Sequence, residues 1–298
     1  MRAIFFAFVP LGILCFYFIF QFLPSTNFRS RTGLLNFDWW GTLTLGMSLI
    51  GYTLATTVGW HVVPLMLFSI ISLGLFLVVE LNATSPLIKM SALGNWEMSS
   101  SLLMNVVVAT VMMTTLVVGP FYLSRALSLS PALVGLTMSV GPFISILSGF
   151  PSGRAVDRVG PHFILMVGLS LMVIGLLLMS AVSHIYGVTG YIFAISFLTP
   201  GYQLFQAANN TAVMMNVPAD QRGAISGMLT LSRNMGLISG ASLMGAVFAS
   251  ASGSVDIATG RPSEIAIGMH WTFLTAACLI AVALAMSIFR RTPKSKRV

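Results

Sequence analysis

Gln203, Gln206 and Asn210 stand at i, i+3 and i+7 in an otherwise apolar stretch, which puts three amides on one helical face, with Tyr202 and Asn209 flanking it. A second apolar stretch carries Leu231-Ser-Arg233-Asn234-Met-Gly236. In hydrocarbon, an ionisable side chain marks a functional position by default, and amides either bind a polar molecule or hydrogen-bond helices together. Arg233 lies ten residues from the nearer end of its stretch, about 15 Å at 1.5 Å per residue, too deep for easy snorkelling. A central Arg costs about 2.5 to 3.5 kcal/mol on insertion, and its five N–H donors still require acceptors or a water-filled cavity. The acids Asp38, Glu80, Glu97, Asp157, Asp220, Asp256 and Glu264 all fall in loops or at the ends of apolar stretches. The amides are therefore the expected company of Arg233. The turn Pro218 to Gly223 joins the two stretches, and Gln206 and Arg233 are nearly equidistant from it. They are expected to share a depth and to line a polar cavity, the plainer alternative being hydrogen bonds that only hold the bundle together.

The elements that carry these residues follow from composition. Of 298 residues, 56% are hydrophobic and 7% charged, whereas soluble domains run near a quarter charged. That balance excludes a soluble enzyme, a nucleic-acid module and a disulfide scaffold. Nine apolar stretches are long enough to cross a bilayer, over roughly 3–23, 38–58, 62–79, 98–123, 132–153, 162–183, 189–217, 223–251 and 269–289. None alternates with period two, so a membrane β-barrel is excluded. The fold expected is an all-α polytopic membrane protein, with the lipid bilayer as its first partner and no nucleic acid. Cys15 and Cys278 lie in apolar runs and behave as small apolar side chains.

Positive charge sets the expected direction. Placing the basic tail Arg290, Arg291, Lys294, Lys296 and Arg297 in the cytoplasm and counting back gives eleven positive residues inside and three outside. The five tryptophans, Trp39, Trp40, Trp60, Trp96 and Trp271, then fall at span ends, where an amphipathic ring prefers the interface. Met1 lies on the outer face of the cytoplasmic (inner) cell membrane, without a signal peptide to explain it. Such a start reads as the continuation of a longer chain. The segment 80–97, with a short apolar run at 86–93 that suits a membrane interface, divides residues 1–97 from a compact set of six spans at 98–298.

Glycine and proline add a second pattern. Gly149-x-x-x-Gly153, Gly223-x-x-x-Gly227 and Gly236-x-x-x-Gly240 permit close helix packing, and Pro142, Pro151 and Pro200 can kink their helices. A third pattern is the turn Gly153-Arg154-Ala-Val-Asp157-Arg158-Val-Gly160-Pro161-His162. Asp157 could there accept from the free N–H groups that open the next span. No HExxH, no GxSxG and no paired membrane acids occur, and His61, His162, His184 and His270 sit at span ends. Neither an enzyme nor a metal site or cofactor is expected.

Gly153-x-x-x-Asp157-Arg158-x-Gly160 resembles the loop signature of the major facilitator superfamily, in the copy found in its C-terminal half. Other segments are similar to the fourteen-span drug:proton antiporters of the EmrB/QacA type. These are Arg2 to Gly12, Phe37-Asp38-Trp39-Trp40-Gly41, Pro120-Phe-Tyr122-Leu, Ser130-Pro131-Ala-Leu-Val-Gly135, and Val217-Pro218 through Arg222-Gly223-Ala-Ile-Ser-Gly227 to Arg233-Asn-Met-Gly236, in the family's order. The chain departs at Pro161-His162, where a basic pair is expected, and at Ser124, where Gln is common. The resemblance implies that residues 1–97 hold the last helix of a first bundle plus two linker helices, and 98–298 a complete six-helix bundle. It implies efflux of amphipathic small molecules by proton antiport in the intact transporter. The substrate pathway would run past Tyr202, Gln203, Gln206, Asn209, Asn210, Arg233 and Asn234, with Gly153, Asp157, Arg158 and Gly160 as a conformational loop. The first bundle, with its proton-coupling carboxylate, would lie outside this chain, in a lost segment or a separately encoded half, and the chain alone would not transport. A permease for a metabolite or osmolyte, and a non-transporting remnant or accessory subunit, are the alternatives.

Overall fold

The computed structural model describes residues 2–22, 38–57, 62–82, 94, 96–215, 217–218, 221–253 and 261–289. The regular elements among them are helical, as hydrocarbon demands of a segment that must satisfy its own backbone. They are α1 (Arg2–Phe22), α2 (Trp39–Thr57), α3 (Val62–Asn82), α4 (Trp96–Phe121, running on into a π-helical turn Tyr122–Ala126), α5 (Pro131–Val159), α6 (Pro161–Met214), α7 (Arg222–Ser252) and α8 (Pro262–Phe289). α6 is broken at Gly187 (φ 56°, ψ −128°), giving arms 161–186 and 188–214. Among the described residues the nine apolar stretches thus become nine helical segments. Six helical stretches among the described residues are long and apolar enough by themselves to cross a membrane: Val62–Asn82, Trp96–Ala126, Pro131–Val159, Pro161–Ala181, Arg222–Ser252 and Pro262–Phe289. The interfacial run at 86–93, the loop 24–37, and the basic tail lie outside the described residues.

Helix ends differ from the apolar boundaries because capping and not hydropathy terminates a helix. α8 begins at Pro262, seven residues earlier than the apolar stretch. Proline suits the first turn, and a Glu264 carboxylate oxygen accepts from the Arg261 N–H at 3.0 Å. Trp271 and His270, expected at a span end, consequently lie in the third turn of α8. His270 Nδ1 meets the Ser180 hydroxyl at 2.9 Å, tying α8 to the first arm of α6. α3 likewise runs on to Asn82, which brings Glu80 into its last turn, where it is buried. That carboxylate belongs to a helix and not to a loop.

The chain divides into two compact units, residues 1–39 and 40–298. The first holds α1, whose Phe16 and Phe20 rings stack at 6.2 Å. In the second, α4, α6 and α8 enclose the core around Met104, Leu169, Met172, Phe205, Phe248 and Phe273. The two arms of α6 touch backbone to backbone. A Cβ on Gly168 would stand 2.6 Å from the Phe205 nitrogen, one on Gly175 2.7 Å from the Leu198 nitrogen, and one on Gly201 2.8 Å from the Gly168 oxygen. α7 meets α4 in the same manner: a Cβ on Gly236 would stand 2.4 Å from the Val106 oxygen, and one on Gly240 2.5 Å from the Thr110 oxygen. Among the described residues, this is the one of the three expected Gly-x-x-x-Gly spacings that packs closely. A Cβ on Gly149, Gly153, Gly223 or Gly227 would meet nothing within 4 Å among the described residues.

α2 and α3 form a hairpin held by reciprocal bonds, the Ser48 hydroxyl to the Ser69 carbonyl at 3.1 Å and the Ser69 hydroxyl to the Ser48 carbonyl at 2.9 Å. α2 also reaches α7 through Tyr52 with Ser239, and through Ser242, which donates to the Thr56 carbonyl at 3.0 Å.

Pro120 has no N–H for the helical ladder, and the π-helical turn follows it, with Leu127 N–H bonding the Tyr122 carbonyl at 3.1 Å. Ser124, at the position where Gln was expected, satisfies itself locally on the Pro120 carbonyl at 2.6 Å. Beside this turn the Tyr191 hydroxyl is buried and has no hydrogen-bond partner among the described residues, 2.7 Å from where a Cβ on Gly119 would stand. A buried unsatisfied hydroxyl costs about 1 to 3 kcal/mol. Tyr191→Phe is therefore expected to stabilise the bundle by about 1 kcal/mol and to relieve Gly119→Ala. Thermal unfolding of the single and double variants in detergent measures both effects, and a destabilised Tyr191→Phe would contradict them.

Candidate functional site

The second arm of α6 carries Tyr202, Gln203, Gln206, Asn209 and Asn210, and α7 carries Arg233 and Asn234. α4 braces both helices at this level. Asn105 on α4 donates to the Leu229 carbonyl at 2.8 Å and to the Ser232 hydroxyl at 2.9 Å, while Thr110 donates to the Gly236 carbonyl at 3.0 Å. Asn209 is fully buried and donates to the Ser101 carbonyl of α4 at 3.4 Å. Asn105 and Ser101 were not among the expected site residues. Their signal was present as an i, i+4 polar pair inside an apolar stretch, the spacing that puts two side chains on one face.

The five side chains of α6 divide by partner. Gln203 turns to α5 and donates to the Ser145 carbonyl at 3.2 Å and to the Ser145 hydroxyl. Gln203 and Asn209 thus each bridge two helices. The side-chain oxygens of Gln206, Asn209 and Asn210 are buried and accept from no group among the described residues. Native interiors leave few such atoms, so a cluster of three within about one turn needs a reason. Tyr202 is half-buried and stands near enough to Arg233 of α7 for the phenol and the guanidinium to interact electrostatically. Arg233 and Asn234 are exposed on α7. The residue beside Arg233 is Tyr202, which flanks the amide face one helical turn from Gln206. Spans joined by a tight turn need not abut along their length, and here α4 supplies most of the packing surface of α7.

The loop motif is almost wholly helical. Gly153, Asp157 and Arg158 belong to the last turns of α5, and Gly160 alone (φ 99°, ψ 150°) separates α5 from α6. Only glycine adopts that conformation without strain. Asp157 does not cap α6, whose N-cap is Gly160 without a side-chain hydrogen bond. Because α5 continues to Val159, the carboxylate stays on α5 and is exposed. Arg154 packs over the Phe150 ring at 4.2 Å from its centroid, and Arg158 stands in the last turn of α5, the favourable end for a cation. Cys15 and Cys278 are exposed and free, and among the described residues no group of three His, Cys, Asp or Glu could hold a metal ion.

A bundle of apolar helices with a polar layer buried at mid-length, braced from three sides, defines a polytopic membrane protein. The sequence matches the Major Facilitator Superfamily over residues 2–241 and 101–298, and the chain belongs to that family, whose members are transporters and not enzymes. Among its relatives, the uncharacterized transporter YebQ of Escherichia coli (strain K12) is 25% identical over 296 residues, 97% of this chain and 61% of that protein. The riboflavin transporter RibZ of Clostridioides difficile (strain 630) is 28% identical over 181 residues, 59% of this chain and 39% of that protein. The multidrug transporter protein MdtP of Bacillus subtilis (strain 168) is 23% identical over 263 residues, 85% of this chain and 48% of that protein. The chain spans less than two thirds of the length of each of them.

Proposed function

We propose that this chain is the C-terminal part of an efflux transporter of the fourteen-span EmrB/QacA type, exporting amphipathic small molecules against protons. Tyr202 and Arg233 with the Gln206 to Asn210 layer would form its share of the substrate pathway. The observation that supports this reading is the placement of Arg233: a guanidinium far from either end of its helix, beside Tyr202 of the neighbouring span and still exposed. A group serving only to hold helices together would be expected inside the seam, as Asn105 and Asn209 are.

Two six-helix bundles rocking about a midplane site are the means by which such transporters alternate access. The outward-facing glycines of α5 and α7, Gly149, Gly153, Gly223 and Gly227, are surfaces that a second bundle would cover, whether from the same polypeptide or a separately encoded one. The bundle would sit in the cytoplasmic membrane with its basic tail inside.

The test is transport in proteoliposomes under a pH gradient, with a fluorescent amphipathic cation and a fluorescent amphipathic acid as substrates. Neither is expected to move with the chain alone, and gradient-driven movement is expected when a polypeptide supplying the remaining length of a relative is co-reconstituted. Movement by the chain alone would overturn its dependence on a second bundle, and none in the combination would overturn the transport reading. The riboflavin transporter among the relatives favours a second reading, a metabolite permease. Downhill movement of a metabolite, indifferent to the pH gradient, would select it.

A further inference from the structure

We propose that an anionic phospholipid binds along α5, its phosphate held by Arg154 and Arg158 and an acyl chain lying over Phe150, Leu147 and Phe143. The inference needs only that α5 crosses a membrane, and it stands whether or not the transport reading does.

α5 is the least covered of the six membrane-crossing stretches among the described residues. Its open surface divides in two by residue size. Leu136, Phe143, Leu147, Phe150 and Arg154 stand at i, i+7, i+11, i+14 and i+18, one stripe of a helix with 3.6 residues per turn, and Arg158 follows one turn later. The four apolar side chains of this stripe are 61 to 69% exposed. Gly135, Pro142, Gly149 and Gly153 make a second stripe, roughly 100° round the same helix. A second bundle packs best against the small side, where backbones can approach closely. Protruding rings and branched chains leave grooves between them, which a flexible acyl chain fills.

The bulky stripe also has the polarity and the length of a lipid. Phe143 and Arg154 are eleven residues apart, about 16 Å along the axis and close to half of roughly 30 Å of hydrocarbon. Phe143 is thus near the midplane when Arg154 is at the headgroups. The Arg154 guanidinium carbon lies 4.2 Å from the Phe150 ring centroid, an arrangement that holds the side chain and uses none of its N–H donors. Arg158 is exposed in the last turn of α5. Two planar forks of donors suit a phosphate, and each arginine beside an anionic surface is worth about fivefold in affinity. Asp157, exposed beside them, offsets part of that gain.

The experiment is native mass spectrometry of the 298-residue chain in detergent, with dioleoyl phosphatidylglycerol, phosphatidylethanolamine or phosphatidylcholine added in turn. The chain is expected to hold its first phosphatidylglycerol about tenfold tighter than either zwitterionic lipid. Arg154→Gln combined with Arg158→Gln should bring the three lipids within about twofold of one another, and each single change should lose about threefold. Arg154→Lys with Arg158→Lys keeps the charge and should keep most of the preference, which separates lost charge from lost folding. Phe150→Leu should lose about twofold by freeing the Arg154 side chain. Arg125→Gln, near the Pro131 end of α5, should change nothing. A phosphatidylglycerol with a photoactivatable group at the end of one acyl chain then locates the site in nanodiscs. Label is expected on residues 136–147, and it should survive co-reconstitution with a polypeptide supplying the remaining length of a relative.

Equal retention of the three lipids, or a phosphatidylglycerol preference that survives the double Gln variant, would overturn the inference. A preference for phosphatidylethanolamine would assign the site to Asp157 and an ammonium group, and overturn it too. So would label that falls outside α5, or label on α5 that the second polypeptide abolishes, which would assign the bulky stripe to the other bundle.

Discussion

Gly236→Val is expected to destabilise the bundle by about 3 kcal/mol or more and to leave little monodisperse protein after extraction in detergent. A Cβ there would lie 2.4 Å from the Val106 carbonyl oxygen and 2.7 Å from the Ala109 Cβ, closer than real contacts come. Overpacking a filled seam ordinarily costs about 1 to 3 kcal/mol. Here relief requires separating α4 from α7, which also stretches the Asn105 bonds to Leu229 and Ser232 and the Thr110 bond to the Gly236 carbonyl. The control lies on the same helix. Gly227 belongs to an identical Gly-x-x-x-Gly spacing but has nothing within 4 Å, so Gly227→Val should change the unfolding midpoint little. Comparing the two variants by tryptophan fluorescence during heating isolates the seam from any general intolerance of valine in α7. Equal losses at both positions would mean that the contact geometry is not what makes Gly236 necessary.

The second large effect is expected at Gly175. Its Cβ would stand 2.7 Å from the Leu198 nitrogen and 2.8 Å from the Leu198 Cα, so the neighbour in the way is backbone. Gly175→Val should therefore cost about 3 kcal/mol or more. Truncating the partner, as in Gly175→Val with Leu198→Ala, should not recover it. Gly119 behaves oppositely, because the atom nearest its Cβ is the Tyr191 hydroxyl, which Tyr191→Phe removes. Recovery of Gly175→Val by the Leu198 truncation, read from the unfolding midpoint, would show that the two arms of α6 can slide past one another.

Much of this architecture was written in the order of polar and apolar residues. A segment without water must close its own hydrogen bonds, so each long apolar stretch has one outcome, a helix. The break at Gly187 falls between the expected stretches 162–183 and 189–217, and the starts at Pro131 and Pro161 fall one residue before the stretches 132–153 and 162–183, where glycine frees and proline restricts the backbone. Where hydropathy stopped short, as at Pro262 and at Glu80, the helix ran on into polar sequence because its backbone bonds do not require apolar side chains. The Gly236 and Gly240 packing was visible as spacing, but identical spacings at Gly149 and Gly223 face outward, and the Gly168, Gly175 and Gly201 seam follows no single short motif.

The polar layer divides in the same way. The sequence alone determined that Arg233 and the amides of the second arm of α6 would be the unusual groups of the membrane segments, since each carries a cost that apolar neighbours cannot offset. Only the tertiary structure decided who meets whom: Gln203 with Ser145, Asn209 with Ser101, and Asn105 with Ser232. The physical reason is that depth along a helix follows from counting residues at a fixed rise, whereas the neighbour across a seam depends on helix rotation and on which third helix intervenes. Here α4 braces α7 at Asn105 and α6 at Asn209, and leaves Arg233 facing outward.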